Sequence, residues 1–180
     1  MKRYDPGPAK ARAMRRLILY RHAKTEAYAP GRKDCDRTLT SRGVTDAGRV
    51  AVRLAELGFA PDLALVSPAL RARQTWQCAE AVFPQTRVDI SPSLYNAAAE
   101  DVTAVLAAAP AVTIMVVGHN PSLQELAYSL LDEGAGTPDQ IEAVSAGFPT
   151  ATAAVFHFAD NGKAELEALI HARDLRPLAD

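Results

Sequence analysis

The chain has 180 residues and a mass of 19.3 kDa, with 48% hydrophobic and 23% charged residues, which excludes a disordered, collagen-like or coiled-coil protein and suits one globular domain. Its net charge of -1 gives no reason to expect nucleic-acid binding. No apolar run approaches the roughly eighteen residues of a membrane span, so no membrane partner is expected. Two cysteines, Cys35 and Cys78, make neither a disulfide framework nor a zinc site, and with no export signal the cytoplasm is the expected compartment. The charge is uneven. Residues 1–16 hold six basic residues and one acid, so residues 1–15 read as a basic tail ahead of a single domain over 16–180. Met14, just before the first apolar run, is an alternative start.

Residues 16–20 read as a short buried strand ending at Arg21-His22. Residues 23–39 are polar, with Pro30, Gly31 and clustered charges, and read as a loop. Thr40 or Ser41 caps a helix to about Leu57, with Val44, Ala47, Ala51, Leu54 and Ala55 at helical spacing and Gly58 as the stop. Residues 62–66 form a second buried strand. Ser67-Pro68 then opens a helix to about Phe83, serine as N-cap and proline in the first turn. A short strand over 88–90 and a helix over 100–108 follow. Residues 111–117 carry the strongest strand pattern, and Asn120-Pro121 repeats the cap-then-proline signal for a helix to about Leu131. Gly134, Gly136 and Pro138 mark a loop. Strands over 152–158 and 164–170 flank Asp160-Asn161-Gly162, a hairpin signal. Ala164, Leu166, Ala168 and Ile170 alternate with more polar neighbours, which favours strand over helix. This order predicts an α/β fold: a three-layer sandwich with a mainly parallel central sheet and a C-terminal antiparallel hairpin.

In open α/β sheets ligands bind beyond the carboxyl ends of the strands. The first strand is followed by Arg21-His22, the second by Ser67-Pro68-Ala69-Leu70-Arg71, and the strongest by Gly118-His119-Asn120-Pro121. Arg21, His22, Arg71 and His119 are therefore expected at one sheet edge, beside helix N-termini that favour anions. A phosphoryl group suits this set best. Arginine presents a planar fork of donors, and a neutral histidine presents a nitrogen able to attack phosphorus.

Leu19-Tyr20-Arg21-His22-Ala23 resembles the Arg-His-Gly signature of the histidine phosphatase superfamily, with alanine in place of glycine. Ser67 to Thr75 resembles its second arginine motif, and Val117-Gly118-His119-Asn120-Pro121 its second histidine motif. Arg37-Thr38-Leu39-Thr40-Ser41-Arg42-Gly43 and Phe148-Pro149-Thr150 point to the SixA-like phosphohistidine phosphatase branch. The resemblance covers residues 16–170 and implies a phosphoglycerate mutase-like fold. It implies His22 as a nucleophile that becomes phosphorylated, Arg21 and Arg71 on the phosphoryl oxygens, and His119 as a hydrogen-bond donor to them, as a cation. Arg37 is implied at the pocket rim. Two in-line displacements then need no metal and no cofactor.

Larger branches of the superfamily carry an acid in a Leu-x-Glu segment, where this chain has Leu94-Tyr95-Asn96. Asn96 cannot protonate a leaving group. Glu26, Asp34, Asp36, Glu100 and Asp101 are candidate substitutes, each with a simpler reading as a loop or cap charge. An alkoxide leaving group depends on such an acid by roughly 10² to 10⁴-fold, and an imidazole far less. His157 reads as strand packing or surface, His171 as a tail residue, Trp76 and Phe83 as core, and Cys35 and Cys78 as inert.

The expected activity is a metal-independent phosphatase acting on a phosphohistidine-bearing protein. A phosphatase of small phosphorylated substrates is the alternative within enzymes, and a non-catalytic phosphate- or phosphoprotein-binding module the alternative outside them.

Overall fold

The computed structural model describes residues 14–175. Six strands form one sheet: β1 (Arg16–Arg21), β2 (Leu63–Val66), β3 (Arg87–Ile90), β4 (Thr113–Gly118), β5 (Thr152–Phe158) and β6 (Ala164–His171). Their order is β3-β2-β4-β1-β5-β6. The first four pair in parallel, while β5 runs antiparallel to both β1 and β6. β2 and β4 are buried along their whole length, as apolar runs covered on both faces should be. β3 closes one edge with all four residues exposed.

Helices cover both faces. α1 (Ser41–Glu56) and α2 (Leu70–Glu80) pack on one side, where Ile18, Tyr20, Val66 and Val117 meet Val50, Leu54 and Trp76. α3 (Ala99–Ala107), α4 (Ser122–Glu133) and α5 (Pro138–Ala146) pack on the other, where Leu19, Leu65 and Val116 meet Val102, Leu123 and Val144. The period-two alternation of β1 and β4 splits the core into these two clusters. This is the expected three-layer α/β sandwich with its C-terminal hairpin.

Several boundaries differ from expectation. Most of the expected tail, residues 1–13, lies outside the described residues, but its last two residues are tied to the domain. Arg15 donates its N–H to the Val112 carbonyl at 2.8 Å and pairs with Asp160 at 2.9 Å, and Met14 packs against the second cluster. Thr40 caps α1 as expected, its Oγ1 accepting from the Gly43 N–H at 2.9 Å. Val44 and Ala55 face solvent, and Val50 takes their place in the core. Ser67 does not cap α2. Its N–H still bonds the Val117 carbonyl at 3.0 Å, so the chain stays in sheet register and the helix starts at Leu70. Asn120 does not cap α4 either, because its amide donates to the Phe148 carbonyl and to Gln124. α5 arises where only a loop is expected. Thr137 and Gln140 form a capping box with Pro138 in the first turn. In β6 a bulge opposite Val155/Phe156 shifts register, so Ala164 and Leu166 pack on one face while Ala168 and Ile170 pack on the other.

One glycine of α1 fixes the loop that precedes it. Gly43 is buried, and a Cβ there would collide with the Lys24 carbonyl, which already accepts from the Thr40 N–H. Gly48, in the same helix, has no neighbour within 4 Å of a Cβ position. Gly48→Ala is expected to stabilise by up to about 1 kcal/mol through helix propensity. Gly43→Ala should destabilise by about 1–3 kcal/mol, since overpacking against backbone exceeds the propensity gain. Urea unfolding of the two variants gives opposite shifts in midpoint if this is correct, and shifts of the same sign if it is not.

Candidate active site

The carboxyl ends of β1, β2 and β4 lie side by side, and each delivers part of one pocket. β1 ends at Arg21 and hands the chain to His22, β4 hands it to His119, and Arg71 sits in the first turn of α2 beyond β2. The rings of His22 and His119 lie 5.1 Å apart between centroids, tilted by 57°. His22 is 8% exposed and Arg71 7%. Arg21, His22, Arg71 and His119 thus meet at the edge where the strand order places them.

His22 is held from several directions. Its N–H bonds the Gly118 carbonyl at 3.0 Å, and its carbonyl accepts from Ala151 at 3.1 Å. Its ring Nδ1 lies 2.8 Å from the Ala23 carbonyl oxygen. A carbonyl only accepts, so Nδ1 carries the proton and Nε2 keeps its lone pair. The Ala23 N–H donates to Thr75 Oγ1, which itself donates to the Arg71 carbonyl, so this turn is latched to α2. Burial lowers the His22 pKa to about 4. The Ala23 bond opposes that shift, and Arg71, Arg21 and Arg37 add to it.

Backbone carbonyls orient most of the arginine donors. Arg21 Nη1 donates to the Phe148 carbonyl at 2.6 Å, and its Nε is buried with no protein partner. Arg71 Nη1 donates to the Asp34 carbonyl at 2.8 Å, and its Nη2 pairs with the Asp34 carboxylate at 3.0 Å. Arg37 donates to the Glu26 carbonyl and to Thr25 Oγ1, and pairs with Asp34 at 3.2 Å. Arg37 thereby stands on the rim, and the same carboxylate joins it to Arg71.

His119 is tied to the residue that follows β2. Its Nε2 lies 2.8 Å from Ser67 Oγ. Ser67 Oγ also accepts from the Ala69 N–H at 3.4 Å, and when its hydroxyl donates to Nε2 the His119 ring proton sits on Nδ1. Nδ1 is buried with no protein partner. Burial, then His22, then Arg71 lower the His119 pKa to about 3, with Asp34 opposing and Arg21 adding. In the free pocket burial and the neighbouring positive charges thus favour the neutral His119 ring, while the cation implied by the resemblance concerns a pocket holding a phosphoryl group.

The Leu94-Tyr95-Asn96 stretch, where larger branches carry an acid, presents its tyrosine to the pocket. Asn96 is exposed in the left-handed region, with φ 55°, and Tyr95 is the residue of that stretch that meets the pocket histidine. The Tyr95 ring lies edge-on to His119 at 6.1 Å, and its hydroxyl donates to Asp34 at 3.2 Å. Asp101 caps α3 through the Ala98 N–H, Glu26 contributes its carbonyl, and Glu100 and Asp36 are exposed. Burial would raise the Asp34 pKa, but Arg37, Arg71 and Tyr95 outweigh it and hold the carboxyl below its usual range. An acid held ionised in this way is a poor proton donor.

Ser67, Thr75 and Tyr95 are site residues that the sequence reading did not assign. Ser67 and Thr75 lie inside the second arginine motif, and Tyr95 directly precedes Asn96, so motif position was the available signal. His171 is not a tail residue. It ends β6, and its Nδ1 lies 2.9 Å from Thr152 Oγ1. His157 sits on β5 in register with Arg16, and Trp76 and Phe83 are core. Cys35 and Cys78 are free thiols, and burial raises the Cys78 pKa. Among the described residues, no group of three or more His, Cys, Asp or Glu is arranged to hold a metal ion. Among them too, no helix is long and apolar enough to cross a membrane.

Comparison with known proteins agrees with this architecture. The model of the histidine phosphatase superfamily (branch 1) matches residues 17–103. The crystal structure of an Agrobacterium tumefaciens protein provisionally assigned as the phosphohistidine phosphatase SixA superposes with a TM-score of 0.76 at 32% identity, covering 87% of this chain and 97% of that one. An uncharacterized protein of Mycobacterium tuberculosis is 35% identical over 152 residues, 78% of this chain and 90% of its own length. An uncharacterized chloroplastic protein of Arabidopsis thaliana is 36% identical over 128 residues, 64% of this chain, so the match spans 59% of the plant protein. The chain belongs to the histidine phosphatase superfamily, a class of phosphatases. Within that class it falls in the SixA-like branch.

The lowered histidine pKa values have a measurable sign. Unfolded histidine takes up a proton near pH 6.5, while His22 and His119 stay neutral in the folded state to about 4 and about 3. Between those values the unfolded chain binds more protons, so their contribution to stability is complete above about pH 6.5 and is lost as pH falls toward 4. In a histidine-ring NMR titration of the free protein, the two resonances should move only below about pH 5. A midpoint near 6.5 for His22 would contradict the neutral-ring assignment.

Proposed function

We propose that this chain removes phosphoryl groups from phosphohistidine, through a covalent phosphohistidine on His22. The observation that carries the reading is the 2.8 Å contact between His22 Nδ1 and the Ala23 carbonyl, which leaves Nε2 unprotonated inside an arginine-lined pocket. In the first step the Nε2 lone pair attacks phosphorus as the bond to the leaving group breaks. Charge spreads over the three equatorial oxygens, where Arg21 and Arg71 meet it. His119 Nδ1–H and Arg21 Nε–H, both buried without a protein partner, are donors suited to the same oxygens. Arg37 adds positive charge at the rim. In the second step water attacks the phosphorylated His22 in line, Nε2 departs with the bonding pair, and the water proton leaves through the open mouth.

The substrate class follows from the groups around the mouth. Asn96 is exposed, Asp34 is held ionised, and burial together with Asp34 raises the Tyr95 pKa, so none of these three is a ready proton donor. An alkyl phosphate suffers from that lack and a phosphohistidine does not. The two free thiols suit a reducing compartment such as the cytoplasm. No step calls for a metal or cofactor.

His22→Ala should lower turnover by several orders of magnitude while the far-ultraviolet spectrum stays that of the folded protein. Quenched wild type given a labelled phosphoryl donor should carry alkali-stable, acid-labile label on His22. Residual turnover above about a tenth of wild type in the alanine variant would remove His22 from the nucleophile role, and a protein that binds phosphate but never takes up label would be a binding module. Comparing kcat/KM on one preparation at neutral pH, phosphohistidine and activated aryl phosphates should be turned over efficiently, and sugar or glycerate phosphates poorly. A chelator should leave these rates unchanged. Equal rates on an alkyl monoester and phosphohistidine would redirect the proposal to small phosphoesters.

A further inference from the structure

Asp34 is the one carboxylate that touches the arginines of this pocket among the described contacts. It sits on the short 3₁₀ turn Asp34–Asp36, and its side chain is 46% exposed, whereas those of His22 and Arg71 are buried. One carboxylate oxygen pairs with Arg37 at 3.2 Å. The other pairs with Arg71 at 3.0 Å and accepts from the Tyr95 hydroxyl at 3.2 Å. Tyr95 in turn stands edge-on to His119. These contacts fix the carboxylate on the solvent side of the phosphoryl-binding groups. Displacement in line from the buried Nε2 sends the leaving group toward that same side. A negative charge at this point is otherwise counterproductive, since it opposes the arginines that must attract a phosphate.

We propose that Asp34 reads the leaving group: its carboxylate accepts the ring N–H of a phosphoimidazole substrate and so selects P–N over P–O bonds at this site. This inference rests on the phosphohistidine reading above and names the residue that would enforce it. When the substrate ring carries a proton on the nitrogen remote from phosphorus, it is a cation. Attack by His22 Nε2 forms a new P–N bond, the old P–N bond breaks with its electron pair moving onto the ring, and the ring leaves as neutral imidazole. No proton need move. The positive charge passes from the leaving ring to the His22 ring, whose Nδ1–H already rests on the Ala23 carbonyl. Each imidazole in the transfer thus has its N–H on an oxygen acceptor, a carbonyl on the enzyme side and a carboxylate on the substrate side. The carboxylate matches a ring that begins as a cation, and a phenol or alcohol offers no such N–H.

The test compares wild type with Asp34→Asn on two small substrates, phosphoimidazole and p-nitrophenyl phosphate, reading kcat/KM for each at neutral pH. Asparagine keeps the size and removes the charge. The ratio of phosphoimidazole to aryl ester kcat/KM should fall by about tenfold or more, the scale of a hydrogen bond to a charged group. Inorganic phosphate binding by calorimetry checks that the pocket is intact, and Asp34→Ser, with the same expected fall in ratio, serves if the asparagine variant does not fold. An equal loss on both substrates would mean that Asp34 only positions Arg71, and an equal gain that it only screens the pocket. Either outcome overturns the inference while leaving the phosphohistidine reading standing. Wild type that hydrolyses the aryl ester but not phosphoimidazole would overturn that reading itself.

Discussion

The hydrogen bond from the His22 ring to the Ala23 carbonyl is the constraint on which the site depends. It decides which nitrogen bears the proton, and so which one keeps a free lone pair. Taken alone it would favour an imidazolium, because a carbonyl stabilises a charged donor. Burial acts in the opposite sense and is the stronger effect, and three guanidinium groups reinforce it. The sheet supplies that burial. A residue directly beyond a central strand, covered by α1 and α2 on one face and α3 to α5 on the other, has little access to water.

The arginines show a related economy of charge. Phe148, Asp34 and Glu26 orient them through backbone carbonyls, which fix a guanidinium without neutralising it. Their positive charge is left for an incoming anion. Asp34 is the exception, since its carboxylate cancels part of that charge. The neutral His119 belongs to the same balance. An imidazolium beside Arg21 and Arg71 would add repulsion in a poorly solvated pocket, and the ring sheds its proton instead.

Much of this was legible in the sequence, because strands covered on both faces are continuous apolar runs and the chemistry follows their carboxyl ends. β1, β2 and β4 and the four residues after them are of that kind. Interactions set by tertiary contact were not legible. Ser67 carries the composition of a helix cap, yet the ladder bond to Val117 keeps it in the sheet and its hydroxyl serves His119. Val44 keeps helical phase with Ala47 and Ala51 but lies on the solvent face. The alternation in β6 looks like one face until a bulge divides it. α5 was missed because Gly134, Gly136 and Pro138 suggest a loop, although Thr137 and Gln140 already spelled a helix start. Asp34 and Tyr95 are joined by one hydrogen bond across 61 positions of sequence, a pairing that no local pattern encodes.

The reversed direction of β5 has a consequence for how the molecule comes into being. Because β5 enters beside β1 at the carboxyl edge of the sheet, the segment just before it closes the pocket: Phe148 receives Arg21, and Ala151 bonds the His22 carbonyl. The Arg21 contact spans 127 residues. During synthesis, Arg21 and His22 therefore emerge long before the Phe148 carbonyl and Ala151 amide that orient them. A ribosome-bound precursor holding β1 to β4 has both histidines and both arginines yet an unfinished pocket, which closes only once the segment before β5 has been made.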